Sequence, residues 1–264
     1  MNTLNIAEAA QQLFIRLAEA EQRVLLLDYD GTIAPFTPQR DEAVPYPGAE
    51  ELLQRILAET NTRIVMITGR AAWDLRSLLH LYPTPEIWGS HGMERLWPSG
   101  NYEMAEVNEK ELRAMTAARS AIPNRDLQDR IENKPAAVAL HWRGLPSAKT
   151  EAARDLALRA WRPIAEKAGL RLAEFDGGLE LRYSDHNKGN AVRKVLEEVG
   201  QDSVIAYLGD DQTDEDAFRA LRPQDLSVLV RPEFRETSAQ LWIKPPEELL
   251  QFLGEWLTTC GGAL

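Results

Sequence analysis

Apolar positions along this chain follow two alternating rhythms. Val24-Leu25-Leu26-Leu27 is an unbroken apolar run that stops at Asp28-Tyr29-Asp30-Gly31-Thr32, the pattern of a strand buried on both faces and ended by a turn. Arg63 to Ile67 repeats it and stops at Thr68-Gly69-Arg70; Ile87-Trp88, Val204 to Leu208 and Leu226 to Val230 repeat it again. Between these runs the apolar residues return every three or four positions. Ile6, Leu13 and Leu17 mark an opening helix, and Leu52, Leu53 and Ile56 mark one over 48–58. Further helices are expected over 71–80, 188–199 and 214–221, with a loop at the prolines 35, 38, 45 and 47. Strand–helix alternation of this kind predicts an α/β fold built on a doubly wound parallel sheet.

The middle of the chain breaks the alternation. Helices are expected over 105–122 and 147–168, strands over Ala136 to Trp142 and Leu179 to Arg182, and a hairpin turn at Asp176-Gly177-Gly178. Two helices with paired short strands predict an α+β module at 104–183, inserted into a catalytic core formed by 1–103 and 184–264. A chain of 264 residues accommodates both.

Composition narrows the partners. Hydrophobic residues make up 44% and charged ones 27%, as in a packed globular protein. With 41 acidic and 30 basic side chains the net charge is −11, which argues against a nucleic-acid partner. An acidic protein that handles phosphate must also screen its own site, most simply with a divalent cation. The single cysteine, Cys260, excludes an internal disulfide. The four histidines include no pair at metal-ligand spacing, so zinc is not expected. The first 20 residues carry Glu8 and Glu19 and lack a basic start, and no apolar stretch approaches the roughly 20 residues that span a bilayer. The expectation is a cytoplasmic monomer with no membrane partner.

The polar residues that end the buried runs carry the chemistry. Carboxylates at the carboxyl end of a buried strand stand where open α/β sheets bind ligands. Asp28 is placed to attack phosphorus, forming an aspartyl-phosphate, and Asp30 to manage the proton of leaving group and water. Thr68 closes the second run, where a hydroxyl and free N–H groups hold phosphoryl oxygens. Lys188, opening a helix, neutralises the phosphoryl group. Gly209-Asp210-Asp211-Gln212-Thr213-Asp214-Glu215 follows another buried run. Hard carboxylate ligands there suit Mg²⁺. Asp210 is the candidate direct ligand, while Asp211 and Asp214 serve either from outside or as helix caps. Taken singly, each motif has an ordinary alternative: an acidic turn, a threonine cap, a surface lysine, a solvated helix start. Four in one order are another matter, and phosphate-monoester hydrolysis needs such a set, since the acceleration required reaches ~10²¹-fold.

In this order DxDGT, hydroxyl-Gly-Arg, Lys-Gly and GDDxTDE resemble the haloacid-dehalogenase superfamily of phosphatases, and the insert resembles that superfamily's type-2B cap. More narrowly, GDDQTDEDAF, Gly89-Ser90-His91-Gly92-Met93-Glu94, Glu132-Asn133-Lys134-Pro135 and Leu140-His141-Trp142-Arg143 resemble the trehalose-6-phosphate phosphatases. The resemblance spans roughly 23–250. It implies Asp28 as nucleophile, Asp30 as general acid/base, Thr68 and Lys188 as phosphate holders, and Mg²⁺ held by Asp28, the Asp30 carbonyl and Asp210. It further implies that Glu132, Lys134, Arg143 and Glu180 of the insert, with Glu94 of the core, contact the sugar phosphate. Trehalose 6-phosphate is the implied substrate. Sucrose phosphate or a glycosyl phosphoglycerate is the alternative, and a non-catalytic sugar-phosphate sensor the bland one.

Overall fold

A computed structural model of the chain describes residues 3–37, 42–123, 125–175, 177–184 and 186–262, with side chains from residue 11 onward apart from Arg125. Pro38 of the expected loop, Asp176 of the expected turn and the Ile6 side chain lie outside these. The described residues form two compact units. One runs to Glu103 and resumes at Asn187; the other is Met104–His186.

The first unit is built on eight strands. They are β1 (Arg23–Leu27), β2 (Thr62–Ile67), β3 (Glu86–Gly89), β4 (Glu94–Leu96), β5 (Tyr102–Met104) and, late in the chain, β10 (Val204–Gly209), β11 (Leu226–Val230) and β12 (Leu241–Ile243). Their spatial order is β12-β11-β10-β1-β2-β3-β4-β5. The six from β12 to β3 are parallel, and β4 joins β3 antiparallel. Chain order therefore reverses between β1 and β10, the switch point at which such sheets bind ligands. Leu27 is registered against Leu208 and Met66, so Asp28, Thr68 and Asp210 leave three adjacent strands at one end.

Alternation along β1 fills both faces of the sheet. Leu25 and Leu27 pack with α1 (Thr3–Glu19), α2 (Ala49–Glu59), α3 (Ala72–Leu78) and α8 (Glu247–Thr259), through Leu17, Ile56, Leu75 and Trp256. Val24 and Leu26 face α6 (Lys188–Val199) and α7 (Glu215–Ala220), through Val192, Val195 and Phe218. Helix α3 is shorter than the 71–80 expected: its chain turns extended at Leu79. Helix α8 has the same helical rhythm as its neighbours, in Leu249, Phe252, Leu253, Trp256 and Leu257, and extends the architecture beyond the elements anticipated above.

In the second unit, β6 (Ile131–Asn133), β7 (Ala137–His141), β9 (Gly178–Arg182) and β8 (Arg171–Phe175) form an antiparallel sheet in that spatial order. Helices α4 (Glu109–Arg119) and α5 (Ser147–Ala168) pack on each other and on this sheet. Helix α4 begins later than expected because Asn108 caps it, accepting from the Glu111 N–H. Trp161 of α5 is fully buried and donates its indole N–H to the Ala118 carbonyl at 3.0 Å, so it packs the interior of the unit. No described helix is long and apolar enough to cross a membrane.

Candidate active site

Side chains from β1, β10 and α6 converge where the chain order reverses. The Asp28 N–H donates to the Leu208 carbonyl at 2.9 Å, which continues the β1–β10 ladder and delivers the Asp28 carboxylate beside the end of β10. Asn187 caps α6 by accepting from the Asn190 N–H, and this sets Lys188 in the first turn. Its buried ammonium lies 2.8 Å from Asp28 Oδ1 and 2.7 Å from Asp214 Oδ1. Asp214 also accepts from the Tyr207 hydroxyl at Oδ1, and from the Asp210 and Asp211 N–H groups at Oδ2, 3.1 and 3.0 Å away. Its carboxylate is thus saturated by donors. Asp211 instead caps the turn after β10, accepting from the Gln212 N–H at 2.7 Å.

Asp210 is the exception. Both its carboxylate oxygens are buried and have no hydrogen-bond partner, and one of them lies within 4.8 Å of a carboxylate oxygen of Asp28 and one of Asp214. A buried carboxylate without a donor is costly, and a divalent cation is a partner that the Asp210 and Asp28 carboxylates fit, with Asp214 already bound by donors. Burial pushes the Asp28 carboxyl up to about 7, with Lys188 opposing and Asp214 adding to the rise. Burial, followed by the Asp28 and Asp214 charges, pushes Asp210 well above the carboxylate range. For Lys188 burial works downward, but Asp214 and Asp28 outweigh it and hold the ammonium above its ordinary value.

The second run brings a further group. Thr68 is buried, donates its N–H to the Trp88 carbonyl and accepts the Arg70 N–H at its hydroxyl. Arg70, almost wholly buried, binds both oxygens of Asp30 through Nε and Nη2 at 2.7 and 2.6 Å. The Asp30 carboxylate is therefore held by the end of the β2 segment, apart from the Asp28–Lys188 pair. Glu94 sits elsewhere again. It accepts from the Ala72 N–H, the Ser90 hydroxyl and the Tyr102 hydroxyl at 3.0, 2.8 and 2.8 Å.

In the second unit, Glu132, Ala139 and Glu180 form one row across β6, β7 and β9, and Lys134, two residues after Glu132, shares its face. Lys134 Nζ lies 2.7 Å from Glu180 Oε2 and 3.8 Å from Glu132 Oε2, and His141 Nε2 is 2.8 Å from Glu132 Oε2. Arg143 follows β7, its N–H bonded to the Gly177 carbonyl. A Cβ added to Gly177 would come within 3.0 Å of the Arg143 Nε.

Residues 26–242 match the trehalose-phosphatase family. This chain belongs to the trehalose-phosphatase family. A probable trehalose-phosphate phosphatase D of Arabidopsis thaliana is 32% identical over 277 residues, covering 94% of this chain and 72% of that protein. A trehalose-phosphate phosphatase of Mycobacterium marinum is 31% identical over 249 residues; the match covers 87% of this chain and 60% of that relative's length. The solved C-terminal domain of Candida albicans trehalose-6-phosphate phosphatase shares the fold, with a TM-score of 0.81 at 20% identity over 94% of this chain and 97% of that one. A haloacid dehalogenase-like hydrolase of Bacillus subtilis shares it at a TM-score of 0.62 and 14% identity, over 88% of this chain and 99% of that one.

Of the residues singled out in this trehalose-phosphatase family member, Asp28, Lys188 and Asp210 come together. Thr68 and Asp30 belong to adjoining strand ends, and Glu132, Lys134 and Glu180 form a separate cluster. Reasoning from the sequence passes over Arg70 and Tyr207. Arg70 had a signal, as the last residue of the Thr-Gly-Arg stop; Tyr207 had none, since inside a buried strand it reads as packing.

Proposed function

We propose that this chain is a Mg²⁺-dependent phosphatase that hydrolyses trehalose 6-phosphate to trehalose and phosphate. The observation that carries the reading is the buried Lys188–Asp28 pair, 2.8 Å apart, beside the donorless Asp210 carboxylate. A nucleophile, a fixed cation and a buried acidic group at a sheet's switch point suit a phosphoryl-transfer site. Asp28, Asp210 and the Asp30 carbonyl would hold Mg²⁺, which neutralises phosphoryl charge when bound.

An Asp28 carboxylate oxygen attacks phosphorus, the phosphorus–O6 bond breaks, and Asp30 gives its proton to the departing sugar oxygen. Water then attacks the aspartyl-phosphate, Asp30 takes the water's proton, and the phosphorus–Asp28 bond breaks to release phosphate. Lys188 orients Asp28 and, with Thr68, balances phosphoryl charge. Arg70 binds both oxygens of Asp30, which fixes the orientation of that carboxylate and leaves a second lone pair on each oxygen. Sugar selectivity is assigned to Glu132, Lys134, Arg143 and Glu180, carboxylates and cations suited to sugar hydroxyls and phosphate; Glu94, which accepts from Ala72, Ser90 and Tyr102, is assigned the sugar contact from the core.

Phosphate release across a panel of sugar phosphates, with Mg²⁺ and with EDTA, tests the reading. Trehalose 6-phosphate should give the highest kcat/KM, EDTA should abolish turnover, and Asp28→Asn should bind substrate without hydrolysing it. Preference for sucrose phosphate or a glycosyl phosphoglycerate would keep the chemistry and overturn the substrate. Unchanged hydrolysis by Asp28→Asn would overturn the mechanism.

A further inference from the structure

The segment that joins β11 to β12 returns across the end of β10 and places Arg235 against the loop that carries Asp210. Its guanidinium donates from Nε to the Asp210 carbonyl at 3.1 Å and from Nη2 to the Asp211 carbonyl at 2.7 Å. Nη1 binds Glu215 Oε1 at 2.5 Å and the Glu236 carbonyl at 2.9 Å. Glu215 is itself held by the Thr237 hydroxyl and the Ser238 N–H at 2.7 and 2.8 Å, so the fork is braced from behind. Arg231 adds a contact from Nη1, 3.4 Å from the Asp210 carbonyl and 3.9 Å from its Oδ2.

Two features set this arrangement apart from ordinary charge pairing. The main chain at Asp210 is secured at both ends, its N–H by Asp214 and its carbonyl by Arg235, while its buried carboxylate receives no hydrogen bond. The Arg235 donors meanwhile go to carbonyls and to Glu215, not to that carboxylate. A guanidinium serving to neutralise Asp210 would take the carboxylate in its fork. Here it fixes the loop and leaves the ligand oxygens available.

We propose that Arg235 is a positioning residue for the divalent cation, clamping the Asp210–Asp211 main chain so that the Asp210 carboxylate is preorganised as a ligand. The inference rests on the cation-dependent reading of the site, and it extends that site to a segment about 25 residues beyond its ligand. Groups that orient ligands from behind are worth about 10–100-fold in metal affinity.

Mn²⁺ binding, followed by the electron paramagnetic resonance of free Mn²⁺ and by the Mn²⁺-dependent rise in Tm, tests it without relying on turnover. Arg235→Gln should weaken Mn²⁺ binding about 10-fold. Arg235→Lys should fall between, since it keeps the charge but loses the planar fork; it also decides the matter if Arg235→Gln does not fold. Arg222→Gln is the control. Arg222 likewise binds backbone carbonyls, those of Gly200, Gln201 and Ser203, but at the opposite end of β10. It should lower Tm and leave Mn²⁺ affinity unchanged. Wild-type affinity in both Arg235 variants, or equal weakening by Arg222→Gln, would overturn the proposal. Absence of Mn²⁺ binding in the unmodified chain would instead sink the cation-dependent reading, and this inference with it.

Discussion

Asp210 holds a buried carboxyl group that no protein hydrogen-bond donor satisfies, with the buried Asp28 carboxylate nearby. Such a residue trades stability for ligand binding. Asp210→Asn should therefore stabilise the protein in EDTA by about 1 kcal/mol, the order of a relieved buried polar group, while removing the rise in Tm that a divalent cation produces. Urea unfolding with and without cation measures both; a less stable variant in EDTA would contradict the account. Gly31 is tied to the same carboxylate. Its φ of +85° lies in the left-handed region, and a Cβ there would stand 2.3 Å from Asp210 Oδ2 and 2.7 Å from the Phe36 ring. Gly31→Ala should cost about 1–2 kcal/mol in backbone strain alone, and should weaken Mn²⁺ binding as well by displacing the Asp210 carboxylate. Equilibrium unfolding and Mn²⁺ titration of the variant check the two effects separately.

Helix α6 shows how an element is made to hold one side chain in place. Lys188 opens it, and at its other end Glu198 is bound by Arg63 of β2 and Arg95 of β4, at 2.6 Å each. Arg95 lies between the Trp88 and Trp97 rings, 4.7 and 4.4 Å from their centroids. Burial alone would raise the Glu198 carboxyl, but its bonds to Arg95 and Arg63 bring it below the ordinary value of 4.5. A depressed carboxyl stabilises the fold above its unfolded-state pKa and loses that contribution as pH falls through the folded one. Glu198→Gln should thus unfold at lower urea than the parent at pH 7, with the gap narrowing as pH drops below about 4.5, the unfolded reference value. A gap that widens toward acid would refute the linkage. Strands β1, β2, β10 and β11 are legible as continuous apolar runs because both their faces are covered. Strand β5 is exposed at all three positions and β6 and β12 span three residues each, too short for a period to register; their pairing comes from neighbours already in place.

At the scale of the whole molecule, the proposed function puts reaction and selectivity in different units. Glu132→Gln should lower kcat/KM for trehalose 6-phosphate well below its value for a small aryl phosphate, relative to the parent. Equal losses on both substrates would mean that Glu132 supports the fold instead. The corresponding change at Lys134 is a poorer probe, because it removes an ammonium 2.7 Å from the buried Glu180 carboxylate, and breaking such a pair costs about 3–5 kcal/mol. Local properties of the sequence were enough to determine the buried strands, the helices between them and the polar residue types that stand at the strand ends, since period and polarity are written into neighbouring positions. Tertiary structure alone decided which of those residues meet. Arg70 takes Asp30 across 40 residues, Arg235 takes the Asp210 carbonyl across 25, and Lys134 takes Glu180 across 46. Those pairings follow from strand order, register and the path of a returning loop, none of which a local pattern of apolar and polar residues encodes.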